Sequence, residues 1–384
     1  MNRCAPSERP GPPRRAPDSA CRAPDSAHRA RGLALVTVLW VLMLLALIAA
    51  SFTRTTRTEI NLTRNLIENA EAEALADAGV YRAVLGLIVL QSEGPIDQGA
   101  KSLIRLGSEN PAVVGRRVEQ DPSAGAEAEE LALEAVEDVA GAWRTDGTAY
   151  AWAFGGGEVR ISIQDEGGKI DLNGAPDELL RGLFLAATWT GPDGEILGLD
   201  DSEADALVDA VRDFADEDDL TRLNGAEDRD YAAAGLPWGA KDAAFDAVEE
   251  LQQVLGMTPQ LYQAVVPALT VYTGSKGIDA GSAPRAVLLA LPGSDAMAVD
   301  AHLAARADAP EGAGPAFLGA EGLNKRSRKL VYTIHAEARA AGGAVFARDA
   351  VVRIGGGDRG YRIEAWKQGL RTLFVVSENA AEGE

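Results

Sequence analysis

The pattern of apolar and polar positions divides the chain near residue 53. From Leu33 to Phe52 twenty consecutive residues carry no charge. At about 1.5 Å rise per residue such a run makes a helix of about 30 Å, the thickness of bilayer hydrocarbon. Beyond Phe52 the pattern turns amphipathic: Thr56, Ile60, Thr63, Ile67, Ala70, Ala74, Ala78, Tyr81, Leu85 and Ile88 recur three or four apart, the spacing of one helix face. No glycine or proline interrupts the chain from Leu33 to Ala78. One helix is therefore predicted from Leu33 to about Gln91, roughly 88 Å long by the same rise. Its last turns, with Tyr81, Val84, Leu85 and Ile88, are expected to cover the protein's own sheet.

Punctuation organises the rest. Ser92 to Gly147 is rich in Gly, Pro, Ala and Glu and reads as a variable connection with a short helix around Glu127 to Val139. Ala149 to Phe154 and Glu158 to Gln164 alternate and flank Gly155-Gly156-Gly157, which predicts a β-hairpin. Between Asp171 and Val271 helix signals dominate: Asp177-Glu178-Leu179-Leu180, Ser202-Glu203 opening a helix to Phe214, and Val248 to Leu255 before Gly256. After Tyr272 strands return at Leu330 to Ala338, Ala344 to Ile354 and Tyr361 to Lys367. The fold class is α+β, a strand region interrupted by a helical insertion of roughly a hundred residues, a domain's worth. A faint internal repeat runs through it: Ile170-Asp171 through Ala175-Pro176 is echoed by Ile278-Asp279 through Ala283-Pro284, each placing Pro at a helix start, where its missing N–H costs nothing.

Charge and composition narrow the function. Met1 to Gly32 sets seven arginines against Glu8, Asp18 and Asp25 and repeats Arg-Ala-Pro-Asp-Ser-Ala from Arg15 and from Arg22. Such a stretch cannot bury a core and reads as a cytoplasmic tail or a removable leader. A cleaved secretory signal could exit at Ala49-Ala50-Ser51, although its apolar region usually spans about 7 to 15 residues. An uncleaved signal anchor explains the length equally well. Neither explains Gly32. Arginines flank both ends of the run, Arg22, Arg29 and Arg31 before it and Arg54, Arg57 and Arg64 after it, so flanking charge orients it only weakly. The formal charge is −21, and −25 without the leader, a balance that repels nucleic acid and anionic lipid. Cys4 and Cys21 both lie in the leader, and His28, His302 and His335 are dispersed. With no P-loop, Gly-x-Ser-x-Gly or His-Glu-x-x-His in the chain, nothing reads as an enzyme.

One cluster does carry candidate chemistry. Asp213, Asp216, Asp218, Asp219, Glu227 and Asp228, with Asn224 and Gly225 among them, offer hard oxygen donors suited to calcium. They read equally as a solvated acidic loop, and the spacing is not that of an EF-hand. A helix-hairpin-helix DNA-binding reading of the same region would need basic residues aimed at phosphate, and carboxylates stand there instead.

Cleavage after a glycine placed directly before an apolar run marks prepilin processing, and here the chain resembles the type II secretion pseudopilins. It departs from their usual start in having Leu33 for Phe or Met and Thr37 for Glu. The missing glutamate is typical of one subfamily, general secretion pathway protein K, the minor pseudopilin of the filament tip. Several blocks resemble that family: Asp165-Glu166-Gly167-Gly168-Lys169-Ile170-Asp171-Leu172-Asn173, Asp213-Phe214-Ala215-Asp216-Glu217-Asp218 with Phe214 for Trp, Asn224-Gly225-Ala226-Glu227-Asp228 with Tyr231, Val248-Glu249-Glu250-Leu251 to Gly256-Met257-Thr258-Pro259, and Trp366-Lys367-Gln368-Gly369.

The resemblance implies a leader over 1–32 removed between Gly32 and Leu33 by a prepilin peptidase that methylates Leu33. It then implies a transmembrane helix over 33–52 and an amphipathic stalk over 53–91, with Arg54 to Glu73 facing other minor pseudopilins. Connection and first pilin-like strands occupy 92–170 and an inserted all-helical, SAM-like domain 171–275. A second helical unit opens 276–370, which closes with the C-terminal pilin-like strands, and 371–384 is a tail. Calcium is expected in the insertion, with Asp213, Asp216, Asp218 and Glu227 as ligands. The expected place is the inner membrane, single-pass, with the head in the periplasm and no nucleic-acid partner. A bitopic envelope protein with a periplasmic adaptor head is the alternative.

Overall fold

The computed structural model describes residues 29–91, 143–309, 316–317, 322–328, 330–355 and 360–374, with side chains of the first helix described over 35–51 and 62–90. The helix predicted at Glu127 to Val139 lies outside them. The chain forms two units, Met1–Arg64 and Asn65–Glu384. Helix α1 runs Arg29–Gln91. In the first unit every described side chain from Leu35 to Ser51 is exposed. Among the described residues no helix is long and apolar enough to cross a membrane; the described side chains of the apolar run cover about 25 Å of helix, short of a full span.

In the second unit α1 buries one face, Ala72, Leu75, Ala76, Val80, Ala83, Val84 and Leu87. This stripe is rotated from the predicted one. Ala70, Ala74 and Tyr81 are exposed and Leu85 and Ile88 half-buried. Of the residues expected to cover the sheet Val84 is buried, Ile88 packs partly buried on the same core, and Tyr81 lies over the Trp366 ring at 5.8 Å while staying exposed. Small residues explain the displacement. A Cβ on Gly79 would stand 2.8 Å from Val159 Cγ1, and one on Gly86 2.8 Å from Trp143 Nε1. The helix backbone itself approaches its partners there, and a count of hydrophobic side chains passes over glycine.

The remaining elements follow in chain order. Strands β1 (Asp146–Phe154), β2 (Gly157–Asp165) and β3 (Ile170–Asp171) precede α2 (Asp177–Ala186), β4 (Thr188–Thr190), β5 (Ile196–Gly198), α3 (Asp201–Ala215) and α4 (Asp228–Ala233). Then come α5 (Pro259–Val265), β6 (Leu269–Thr270), α6 (Arg285–Ala290), α7 (Ala296–Asp308), β7 (Val331–Arg339), β8 (Val345–Ile354) and β9 (Tyr361–Gln368). The main sheet is antiparallel throughout in the order β1-β2-β7-β8-β9. All five of its predicted strands are present, with ends shifted by a few residues at most. Gly155 and Gly156 turn the first hairpin with φ of 58° and 83°, the left-handed pair that matches strand twist. One face of the sheet, including Val159, Ile161, Ile163, Ile334, Ala336 and Val352, closes a core with α1. Arg348 on β8 ties the two layers, reaching Asp77 and Glu73 of α1 at 2.7 Å each.

The chain leaves β2 at Asp165 and returns in β7 at Tyr332, its ladder partner. Everything between is therefore an insertion hung from two adjacent strand ends. It has its own apolar core, continuous from Ile170 to Leu323, so the division drawn at residue 275 falls inside that core. The repeat explains why: its two halves pack on each other. β3 pairs in parallel with β6, α2 lies against α6, and Gly182 faces the Ala290 carbonyl with no room for a side chain. Pro176 and Pro284 are the extended N-caps of α2 and α6. Two local differences from the sequence pattern remain. β4 and β5 form a small hairpin where helix was expected, and Val248–Gln253 is a 3₁₀ helix that stops before Leu255. The Leu255 N–H donates to Tyr231 Oη at 3.0 Å instead of continuing a helical ladder.

Candidate functional site

Gly32 and Leu33 lie inside α1, which begins at Arg29, in the stretch whose side chains are not described. The site open to structural reading is the carboxylate cluster at the end of α3. That helix opens with a capping box between Asp200 and Glu203 and buries Leu207, Val211 and Phe214. The same periodicity turns Asp213 inward, where it is 0 % exposed. Both Asp213 oxygens accept from the Arg222 N–H, at 3.3 and 3.0 Å. Gly225 packs against this carboxylate with no space for a Cβ, which is why a glycine stands there.

Asp216 caps α3 in an extended conformation, and Glu227, 6 % exposed, caps α4. Asp216 Oδ1 and Glu227 Oε1 are buried with no hydrogen-bond partner. Burial raises the Glu227 carboxyl from 4.5 to about 7, with the charges of Asp213, Asp216, Asp242 and Asp219 adding to the rise. Burial likewise raises Asp213, and the Asp216 charge adds to this. Asp216 is raised by burial and then by Asp218. The nearby cations are committed elsewhere. The Arg222 guanidinium meets Asp177 at 2.9 Å and Asp209 at 3.3 Å, and Lys241 meets Asp246 and Glu250 at 2.7 and 2.8 Å.

The four proposed ligands are thus electrostatically coupled, Asp213, Asp216 and Glu227 most directly and Asp218 through Asp216. Asp228 is not part of the group: its Oδ1 accepts from the Ala240 N–H at 3.1 Å. Asp242 is, and the sequence pattern did not point to it. The Lys241 and Asp242 N–H groups donate to the Phe214 carbonyl at 2.9 and 3.2 Å, and Asp242 takes a φ of 53°, which Asp tolerates better than most residues. Among the described residues no group of three His, Cys, Asp or Glu side chains is placed to hold a metal ion. Even so, an all-oxygen donor set with two unpartnered buried oxygens fits a hard divalent cation of the calcium type. An apolar pocket of about 620 Å³ adjoins it, bounded by Trp189, Leu199, Leu207 and Leu261 and reaching Gly225.

Residues 195–274, which include this cluster, match the family model of Type II secretion system (T2SS), protein K. The chain is 32% identical over 74 residues to the putative type II secretion system protein K of Escherichia coli K12, covering 19% of this chain and 23% of that protein. Over 307 residues it is 27% identical to protein K of Klebsiella pneumoniae, covering 77% and 81%. With Pectobacterium carotovorum protein K the identity is 35% over 71 residues, 18% of this chain and 22% of that protein. The matched part thus spans less than a quarter of the E. coli and Pectobacterium relatives. Among solved structures, a chain of the GspK-GspI-GspJ complex from enterotoxigenic E. coli aligns with a TM-score of 0.46 at 15% identity, covering 82% of this chain and 99% of that one. The family model and the named relatives bear out the resemblance to protein K that the sequence blocks carry.

Proposed function

We propose that the chain is a minor pseudopilin of a type II secretion system, placed at the tip of the periplasmic pseudopilus, where it initiates and caps assembly for export across the outer membrane. The observation that carries this reading is the protein K match over 195–274, located in an insertion that interrupts a sheet packed on the end of α1. In this mechanism the run Leu33 to Phe52 enters the inner membrane and leaves the head in the periplasm. Prepilin peptidase cuts after Gly32 and methylates Leu33. The stalk from Arg54 to Glu73 packs with the other minor pseudopilins. Thr37 keeps a carboxylate out of hydrocarbon, where it is costly unless paired, and a tip subunit has no neighbour ahead to pair it.

Calcium, in the same reading, is held by Asp213, Asp216, Asp218 and Glu227. When bound it would supply positive charge to this group of buried like charges, and Asp216 at the end of α3 and Glu227 at the start of α4, whose Oδ1 and Oε1 have no hydrogen-bond partner, would be fastened together. The protein acts by binding and assembly rather than by catalysis. Mass spectrometry of the mature amino terminus after co-expression with a prepilin peptidase tests the reading. A chain beginning at N-methylated Leu33, abolished by Gly32→Val, is expected. Cleavage after Ala50 would sink the proposal, and an intact leader would favour a membrane-anchored adaptor.

A further inference from the structure

Among the described residues most basic side chains of this acidic head are neutralised within it. Arg144, Arg212, Arg222, Arg348 and Lys241 each meet a carboxylate. Lys276, Lys325, Arg326 and Arg328 differ: all four are exposed, and none has an ion pair among the described residues. They gather around one cleft of about 440 Å³, within the size range of specific ligand sites.

The cleft stands on fixed backbone. Residues 322–328 lie along 277–279 as a strand-like segment, with the Ile278 N–H donating to the Leu323 carbonyl and the Lys325 N–H to the Ile278 carbonyl, both at 2.8 Å. Asn324 Oδ1 accepts from the Ala280 N–H at 3.3 Å. The Ser327 N–H donates to Asp279 Oδ2 at 2.7 Å, and its hydroxyl to Asp165 Oδ1 at 3.0 Å. On the opposite wall the buried Asp171 carboxylate accepts from the N–H groups of Thr273 and Gly274, at 3.0 and 2.8 Å. The wall carboxylate, Asp165, is 1 % exposed and turned to Gly167 and Ser327. Four cations therefore face solvent from this hydrogen-bonded frame, with no ion pair among the described residues.

Such a frame calls for an anion, and the rest of the molecule selects which kind. Charges are screened over about 8 Å at physiological ionic strength. A long polyanion or an anionic bilayer would extend beyond that distance and meet a protein of net charge −21. A compact group of carboxylates can enter the cleft and meet the four exposed cations, Asp165 being a buried carboxylate of the lining, with the guanidinium forks of Arg326 and Arg328 suited to bidentate pairing. We infer that this cleft binds a short acidic segment of a partner protein, two or three neighbouring Asp or Glu side chains. The inference does not depend on the pseudopilin reading.

The test uses the full chain in neutral detergent and a fluorescein-labelled tetraglutamate peptide, followed by anisotropy. Saturable binding that weakens with added salt is expected, with no binding of tetraglutamine. The double charge reversal Lys325→Glu with Arg326→Glu should weaken the affinity at least tenfold. Arg371→Glu, at an exposed arginine outside the cleft lining, should change it less than twofold. Because these side chains are exposed, folding should survive; if the reversal lowers the melting temperature, Lys325→Gln with Arg326→Gln supplies the same readout. Failure of tetraglutamate to bind at low salt, or binding unchanged in both double variants, would overturn the inference. So would displacement of the peptide by equimolar inorganic phosphate, or tighter, cleft-dependent binding to phosphatidylglycerol vesicles than to the peptide.

Discussion

Glu227→Gln should stabilise the metal-free protein and remove most of its response to calcium. Glu227 is buried beside Asp213, Asp216, Asp219 and Asp242, and its carboxyl is raised from 4.5 to about 7. The unfolded chain releases this proton near 4.5 and the folded chain near 7, so between the two the folded state binds more protons. Stability then falls as pH rises through that window, and the loss is complete above about 7. At about 1.4 kcal/mol per pH unit the gap corresponds to roughly 3 kcal/mol. Glutamine keeps the size and removes the charge. In chelator at pH 8 the variant should therefore exceed the wild type by up to roughly 3 kcal/mol, a melting difference of roughly 6 to 12 °C. At pH 4.5 the two should nearly coincide, and comparing two proteins cancels the carboxylates they share. Calcium at a hundred times its Kd adds about 2.7 kcal/mol to the wild type and much less to the variant. Calorimetry across pH 4.5 to 8, with chelator and with calcium, measures all of this. A metal-free variant no more stable than the wild type at pH 8 would refute the electrostatic argument. Equal calcium responses would refute the ligand assignment.

Two further substitutions probe the frame of the head. Asp171→Ala should cost about 3 kcal/mol or more in denaturant unfolding, because it orphans five donor contacts from Asn173, Gly174, Thr273 and Gly274 in a buried place; Asp279→Ala, at the repeat-related position with donors Gly281 and Ser327, should cost clearly less, and equal losses would count against the contacts named. Gly79→Val should cost about 1 to 3 kcal/mol by overpacking, since its Cβ alone would meet Val159 Cγ1 at 2.8 Å and the Ala336 Cβ at 3.2 Å; unchanged denaturant stability would mean that α1 does not seat on the sheet as described.

Elements with a strong period were legible in the sequence. Alternation along β7 and β8, and glycines at a hairpin turn, announce their conformation through local sterics alone. The face that α1 buries was not legible, because its seat is made by Gly79 and Gly86 and by alanines. There the gain comes from backbone approach and close contact rather than from the transfer of large apolar groups. The β4–β5 hairpin was hidden by brevity: three residues a side give no alternation to count. The repeat was visible as Ile-Asp and Ala-Pro pairs, yet its consequence, one core shared by both halves, depends on α2 meeting α6 across more than a hundred residues of chain.

The site divides along the same line. Asp213, Asp216, Asp218 and Glu227 stand close in sequence, so their nearness needed no tertiary information, only the turn that Asp213 fixes through the Arg222 N–H. Asp242 comes from further along, delivered by two N–H groups that take up the Phe214 carbonyl at the end of α3. A free helix-end carbonyl wants donors, and a chain that supplies them brings its own side chains with it. Asp228 shows the converse. It sits next to Glu227 in sequence, but the start of α4 turns it toward Ala240, and Gly239 leaves it room by lacking a Cβ. Membership of the cluster is thus decided by which backbone donors each carboxylate satisfies. The oxygens left without donors, Asp216 Oδ1 and Glu227 Oε1, are the ones a cation would have to serve.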